Sequence, residues 1–283
     1  MSTNQESYYY VPGPSAWPLV GSCALLMMAT GAVMIMNKVG PGLAVLLAGT
    51  AILLYMMYGW FGKVIGESEA GAYNKRVDSS FRWGMGWFIF SEVMFFAAFF
   101  GALFYLRTIS VPDLTGIENA MLWPDFKNVW PSAGPAFAEK WEAMTPWGIP
   151  AINTLLLLSS GATLTWAHWG LMKRQRSQLC FGLFLTVLLG AIFLYLQVHE
   201  YSHAYHEMNL RLSTGVYGST FYMLTGFHGF HVTVGAIMLT VMLGRSLKGH
   251  FTPEHHFAFE AVAWYWHFVD VVWLFLFVVV YWL

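Results

Sequence analysis

Seven stretches of the chain are apolar for long enough to cross a bilayer as helices: roughly 16–36, 40–61, 84–106, 149–172, 178–200, 216–243 and 257–283. About 20 residues at 1.5 Å each cover the hydrocarbon core. The last stretch, FAFEAVAWYWHFVDVVWLFLFVVVYWL, nevertheless carries Glu260, His267 and Asp270. At about 100° per residue these fall with Trp264 on one stripe, while Val272, Leu276 and Val279 cover the rest. An ionised side chain facing lipid costs about 2.5 kcal/mol or more, so the stripe must face protein or a polar cavity. The pattern predicts an all-α polytopic membrane protein, a bundle of seven transmembrane helices with a polar inside.

The connections set the topology. With the N-terminal segment 1–15 in the cytoplasm, the cytoplasmic side holds Lys63, Lys75, Arg76, Arg82, Lys173, Arg174, Arg176, Arg245 and Lys248, nine basic residues. The other side holds Lys38, Arg107, Lys127, Lys140 and Arg211, only five. The positive-inside rule therefore predicts a cytoplasmic N-terminus and an outward C-terminus. Residues 62–83 read as a polar cytoplasmic linker, able to separate the first two helices (16–61) from the other five (84–283). Residues 107–148 hold five prolines among Trp123, Trp130, Trp141 and Trp147, which argues for an extracytoplasmic loop lying at the membrane interface.

Composition supports this reading. Charged residues make up 10% of the chain, against about 25% in a soluble domain. The net charge of −1 gives no sign of a nucleic-acid partner. The N-terminus has no basic segment ahead of a short apolar core, so a cleavable signal peptide is not expected. Cys23 and Cys180 lie far apart in apolar runs and predict neither a disulfide nor a thiolate metal site. Small residues recur four apart in three rows: Gly182, Thr186, Gly190; Ser159, Thr163, Ala167; and Thr225, Gly229, Thr233. Such rows let helix backbones approach closely in lipid.

Three constellations could carry chemistry. Glu92 sits mid-span without a basic neighbour, where a lone carboxyl keeps its proton because desolvation disfavours the charged form. It is either a neutral hydrogen-bonding acid or a group that handles protons or touches lipid. TGFHGFHV places Thr225, His228 and His231 on one slowly rotating face, suited to interhelical hydrogen bonds or, in a b-type cytochrome, to haem. His199, Glu200 and His203 form an H-E-x-x-H, the pattern with which a membrane zinc metalloprotease holds its metal. Here it stands at the outer end of a span, where polar residues are expected anyway.

SEVMFF (91–96), TWAH (165–168), GVYGSTFYMLTGFHGFHV (215–232) and HHFAFEAVAWYWHFVDVVWLFLF (255–277) together resemble subunit III of the haem–copper cytochrome c oxidases. Weaker similarity runs from SAWPLV (15–20) onward. The resemblance implies a seven-helix fold, two helices diverging from five in a V, with bound phospholipids and no redox centre or metal of its own. It implies a non-catalytic role beside subunits I and II, which would carry haem and copper and receive electrons from cytochrome c. Such a chain would stabilise subunit I and assist proton or oxygen delivery. The family's lipid contacts carry over to Trp60, Glu67, Glu92, His231 and His255 in the cleft, and to Arg245 and His250 at another headgroup site. Gly66 stands where mitochondrial relatives carry an arginine, which removes one headgroup contact. The 107–148 loop is longer than theirs, which implies a bacterial cytoplasmic membrane. The family keeps Glu200 and Tyr201 but not the flanking histidines, which marks the H-E-x-x-H as accidental.

Overall fold

A computed structural model describes residues 10–283, apart from the side chain of Ala120; residues 1–9 of the expected N-terminal segment lie outside the described residues. Seven long helices follow the seven apolar stretches: α1 (Trp17–Met36), α2 (Gly42–Glu69), α3 (Lys75–Tyr105), α4 (Ile149–Met172), α5 (Arg176–His206), α6 (Gly215–Lys248) and α7 (Phe257–Leu276). No strand occurs among the described residues. Six of the seven are long and apolar enough to cross a membrane; α4, diluted by Asn153, two serines and His168, is not among the six. The chain is an all-α polytopic membrane protein.

The helices overrun the apolar stretches at their polar ends. α2 continues to Glu69 and α3 begins at Lys75, so only residues 70–74 of the polar 62–83 segment lie outside a helix. Two local features explain this. Lys63 reaches Glu67 one turn on at 3.9 Å, and the Asn74 side chain accepts from the backbone N–H of Arg76 and Val77 at 3.1 Å each, starting α3. At the other end, α3 passes into a wider turn at Leu106–Ser110 and a last helical turn at Val111–Asp113 before the prolines break it.

The described residues form two compact units, divided after Phe81. In the first, α1 and α2 pack as an antiparallel pair. A Cβ added to Gly31 would stand 2.5 Å from the Leu46 backbone nitrogen, and one on Gly49 2.8 Å from that of Met28. Hydrogen at these positions brings the two backbones together.

In the second unit, α4 and α5 form an antiparallel pair, and α6 and α7 complete the bundle. Two of the small-residue rows meet here: Gly182 faces Thr163 and Ala167, and the Thr163 and Thr186 hydroxyls lie 2.9 Å apart. Ser159 is exposed and Ser160 takes its place inside. In the third row Thr225 is buried against α5, while Thr233 bonds only to its own helix. Trp266 of α7 fills the space left by Gly190 and Gly235 and donates its indole N–H to Ser160 Oγ at 2.9 Å. α3 joins through edge-on and tilted aromatic contacts, including Phe95 and Phe99 against Phe227 and Phe96 against His231.

The 107–148 loop is stitched to the bundle. Tyr217 and Val216 donate backbone N–H groups to Ser132 and Ala133 carbonyls, and Glu142 donates to the Met208 carbonyl. Trp130 and Trp141 pack on Tyr217, while Trp147 stays exposed. Gly215 makes the junction possible. Its φ is +51°, and a Cβ there would stand 1.7 Å from the Ala133 carbonyl oxygen.

Candidate functional site

The polar groups expected within the spans come together in three places between helices. The first joins α3 to α6. Glu92 Oε2 lies 2.8 Å from His231 Nε2, while His231 Nδ1 lies 2.6 Å from the Phe227 carbonyl oxygen. A carbonyl can only accept, so Nδ1 carries a hydrogen. Nε2 then either accepts from a protonated Glu92 or donates to its carboxylate. In both cases one proton lies between the two groups and the pair is neutral overall, which suits its depth.

The second lies along the α7 stripe. Glu260 meets Arg82 of α3 at 2.6 Å, with His256 3.9 Å away. Two turns further, His267 and Asp270 face α4: His267 Nδ1 is 3.6 Å from Asp270 Oδ2, and His267 Nε2 is 3.5 Å from Thr165 Oγ1. Trp264, expected on the same stripe, is half-buried.

The third lies near the C-terminal end of α5. Tyr281 donates to Glu200 Oε1 at 2.7 Å, and Gln197 and Asn153 sit nearby, 3.5 Å apart. Glu200 is buried, whereas His199 and His203 are exposed and His203 pairs with Glu207 at 3.0 Å. The H-E-x-x-H is thereby parted: its carboxylate belongs to the core and its imidazoles to the surface. His228 is buried, bonded through Nε2 to the Val269 carbonyl at 3.2 Å and packed on Trp273. Among the described residues, no three His, Cys, Asp or Glu side chains are placed to hold a metal ion.

Of the other expected lipid contacts, Trp60 and Glu67 lie on α2. Glu67 accepts from the Tyr73 hydroxyl at 2.8 Å, and burial followed by this carboxylate pushes the hydroxyl's pKa up. Arg245 is buried near the end of α6 with its guanidinium over the Phe251 ring, and the His250 N–H bonds to its carbonyl. His255 is exposed in the 252–255 turn. Sequence reasoning did not pair Arg82 with Glu260 or Tyr281 with Glu200. Their only signal is placement: each pair stands at the same end of two spans.

The profile of the family described as cytochrome c oxidase subunit III matches residues 7–283. Proteins named cytochrome c oxidase subunit 3 match along nearly their whole length. That of Dugong dugon is 43% identical over 281 residues, covering 99% of this chain and 98% of the relative. That of Marchantia polymorpha is 43% identical over 283 residues, at 100% and 98%, and that of Gadus morhua 42% over 281, at 99% and 98%. On this match and these relatives, the chain belongs to the cytochrome c oxidase subunit III family.

Proposed function

We propose that the chain serves as a non-catalytic core subunit of a proton-pumping cytochrome c oxidase, stabilising the catalytic subunit I and holding phospholipids. One observation supports this above others. Ionisable groups inside the bundle bond across helices, as half-buried Glu92 does with His231 and buried Glu200 with Tyr281, which is how a scaffold uses them. Haem and copper belong in this reading to subunits I and II, and cytochrome c reaches this chain only through the complex. Arg245 and His250, at the cytoplasmic end of α6, suit a lipid phosphate, with Trp60, Glu67, Glu92, His231 and His255 as the further lipid contacts.

The basic-residue count supports a cytoplasmic N-terminus and an outward C-terminus, and the long 107–148 loop supports a bacterial source. Affinity purification through a tag on the full chain tests the reading. Haem, copper and two large partners should co-elute, with phospholipid retained. Purification alone, without haem, would sink it. Cysteines placed at the exposed Ser177 and Ser213, in a background without Cys23 and Cys180, should label from opposite sides of the membrane.

A further inference from the structure

Three side-chain atoms between α4 and α5 have no hydrogen-bond partner. They are Oδ1 of Asn153, near the start of α4, and Nε2 of Gln197 and Oε2 of Glu200, one turn apart on α5. The three residues are 0, 5 and 1% exposed. Their other polar atoms face partners. Glu200 Oε1 accepts from Tyr281, and Asn153 Nδ2 faces Gln197 Oε1 across 3.5 Å, longer than a normal bond. Gln197 also stands beside Glu200 and Tyr281.

Turning the amides over does not remove the problem. Gln197 Nε2 would then donate to Asn153 Oδ1 across the same gap, and Asn153 Nδ2 and Gln197 Oε1 would be stranded instead. Either way an amide donor, an amide acceptor and a carboxyl oxygen are left over. The wall beside them is apolar, made by Phe221 and Trp273 where they pack on Tyr281. Burial without a partner is costly for each of the three. A small group that both donates and accepts relieves them all.

We propose that Asn153, Gln197 and Glu200 form a binding site for one water molecule between α4 and α5. The water accepts from Gln197 Nε2 and donates to Asn153 Oδ1 and Glu200 Oε2, which makes the three bonds usual for a buried water. If Glu200 carries a proton, Oε2 donates to the water's remaining lone pair instead. A metal cation fits less well, because it takes oxygen ligands and the Gln197 oxygen is turned to the Asn153 amide. The carboxyl of the H-E-x-x-H thereby has a use that involves neither of its histidines. Tyr281 holds that carboxyl from the other side, so the C-terminal turn Phe277–Trp282 is tied to α4 through Glu200 and the water. The site lies within this chain and does not depend on which complex the chain serves.

The test is electron cryo-microscopy of the full chain in its native complex, at a resolution where ordered waters appear elsewhere in the bundle. The parent should show one peak about 2.7–3.2 Å from Asn153 Oδ1, Gln197 Nε2 and Glu200 Oε2. Gln197→Leu should lose the peak, whereas Tyr281→Phe, which alters only the contact at Oε1, should keep it. The parent map decides the matter if Gln197→Leu does not fold. No peak in the parent, or a direct bond from Gln197 to Glu200 that closes the space, overturns the site. So does a peak unchanged in Gln197→Leu or lost in Tyr281→Phe. A peak held by oxygens alone at about 2.3–2.6 Å, with Gln197 turned over, is a cation and overturns the assignment to water.

Discussion

Glu92 and His231 are separated by 139 positions in sequence and meet at 2.8 Å between α3 and α6, sharing one proton. Glu92→Gln keeps the contact, because the amide can donate to Nε2. Its initial rate of oxygen consumption in the assembled oxidase should stay near the parent's. Glu92→Ala leaves the imidazole nitrogen without a partner, at about 1–3 kcal/mol. That variant should unfold at a lower temperature and lose activity over successive turnovers. An immediate collapse of the rate in Glu92→Gln, with haem content unchanged, would contradict this.

Trp266 is completely buried, and Ser160 is the acceptor for its indole N–H. Ser160→Ala should destabilise the bundle by about 1–3 kcal/mol through the stranded donor. Trp266→Ala should cost about 3–5 kcal/mol through the cavity left between Gly190 and Gly235. Thermal unfolding in one detergent ranks them; an order in which the serine variant is the less stable refutes the assignment.

Gly215→Ala combines a positive φ with a collision against the Ala133 carbonyl. It should destabilise the junction by more than about 1 kcal/mol. The loss should appear first as protease cleavage within 121–148, while the bundle stays intact. Equal cleavage of parent and variant would show that the junction relaxes freely.

Arg174 reaches Glu254 at 2.7 Å, and this hydrogen bond holds the Glu254 carboxyl below its ordinary pKa. A group lowered on folding contributes stability above its unfolded value, about 4.3, and that contribution fades as pH falls through the folded value. Amide exchange in the 249–256 turn should therefore be slower in the parent than in Glu254→Gln at neutral pH. The two should converge in acid. Both side chains are largely exposed, so the difference is small and shrinks with salt. A gap that widens in acid would have the wrong sign.

The number and order of the helices are legible in the sequence, because a long apolar run has few other solutions in lipid. The α7 stripe also shows that Glu260, His267 and Asp270 need partners. Which partners they find is not legible. The azimuth of one helix against another follows from packing of the whole bundle, so Arg82 reads as one more basic residue on the cytoplasmic side until it is seen beside Glu260. Ser159 and Ser160 make the same point: the spacing marks a small-residue row, but only the packed neighbours decide which of two adjacent serines lies inside. Helix ends are also poorly marked. The Lys63–Glu67 pair in α2 and the Asn74 cap of α3 carry these helices into a stretch whose polarity suggests a linker.

The long 107–148 loop is fastened at Ser132, Ala133 and Glu142, while Met121 and Leu122 before those stitches are exposed. The slack ahead of the fastening is a place where extra residues would bulge into the aqueous phase without pulling on α6. A fluorophore or epitope grafted after Met121 would report on the surface at this end of the chain from a position that the membrane bundle does not feel.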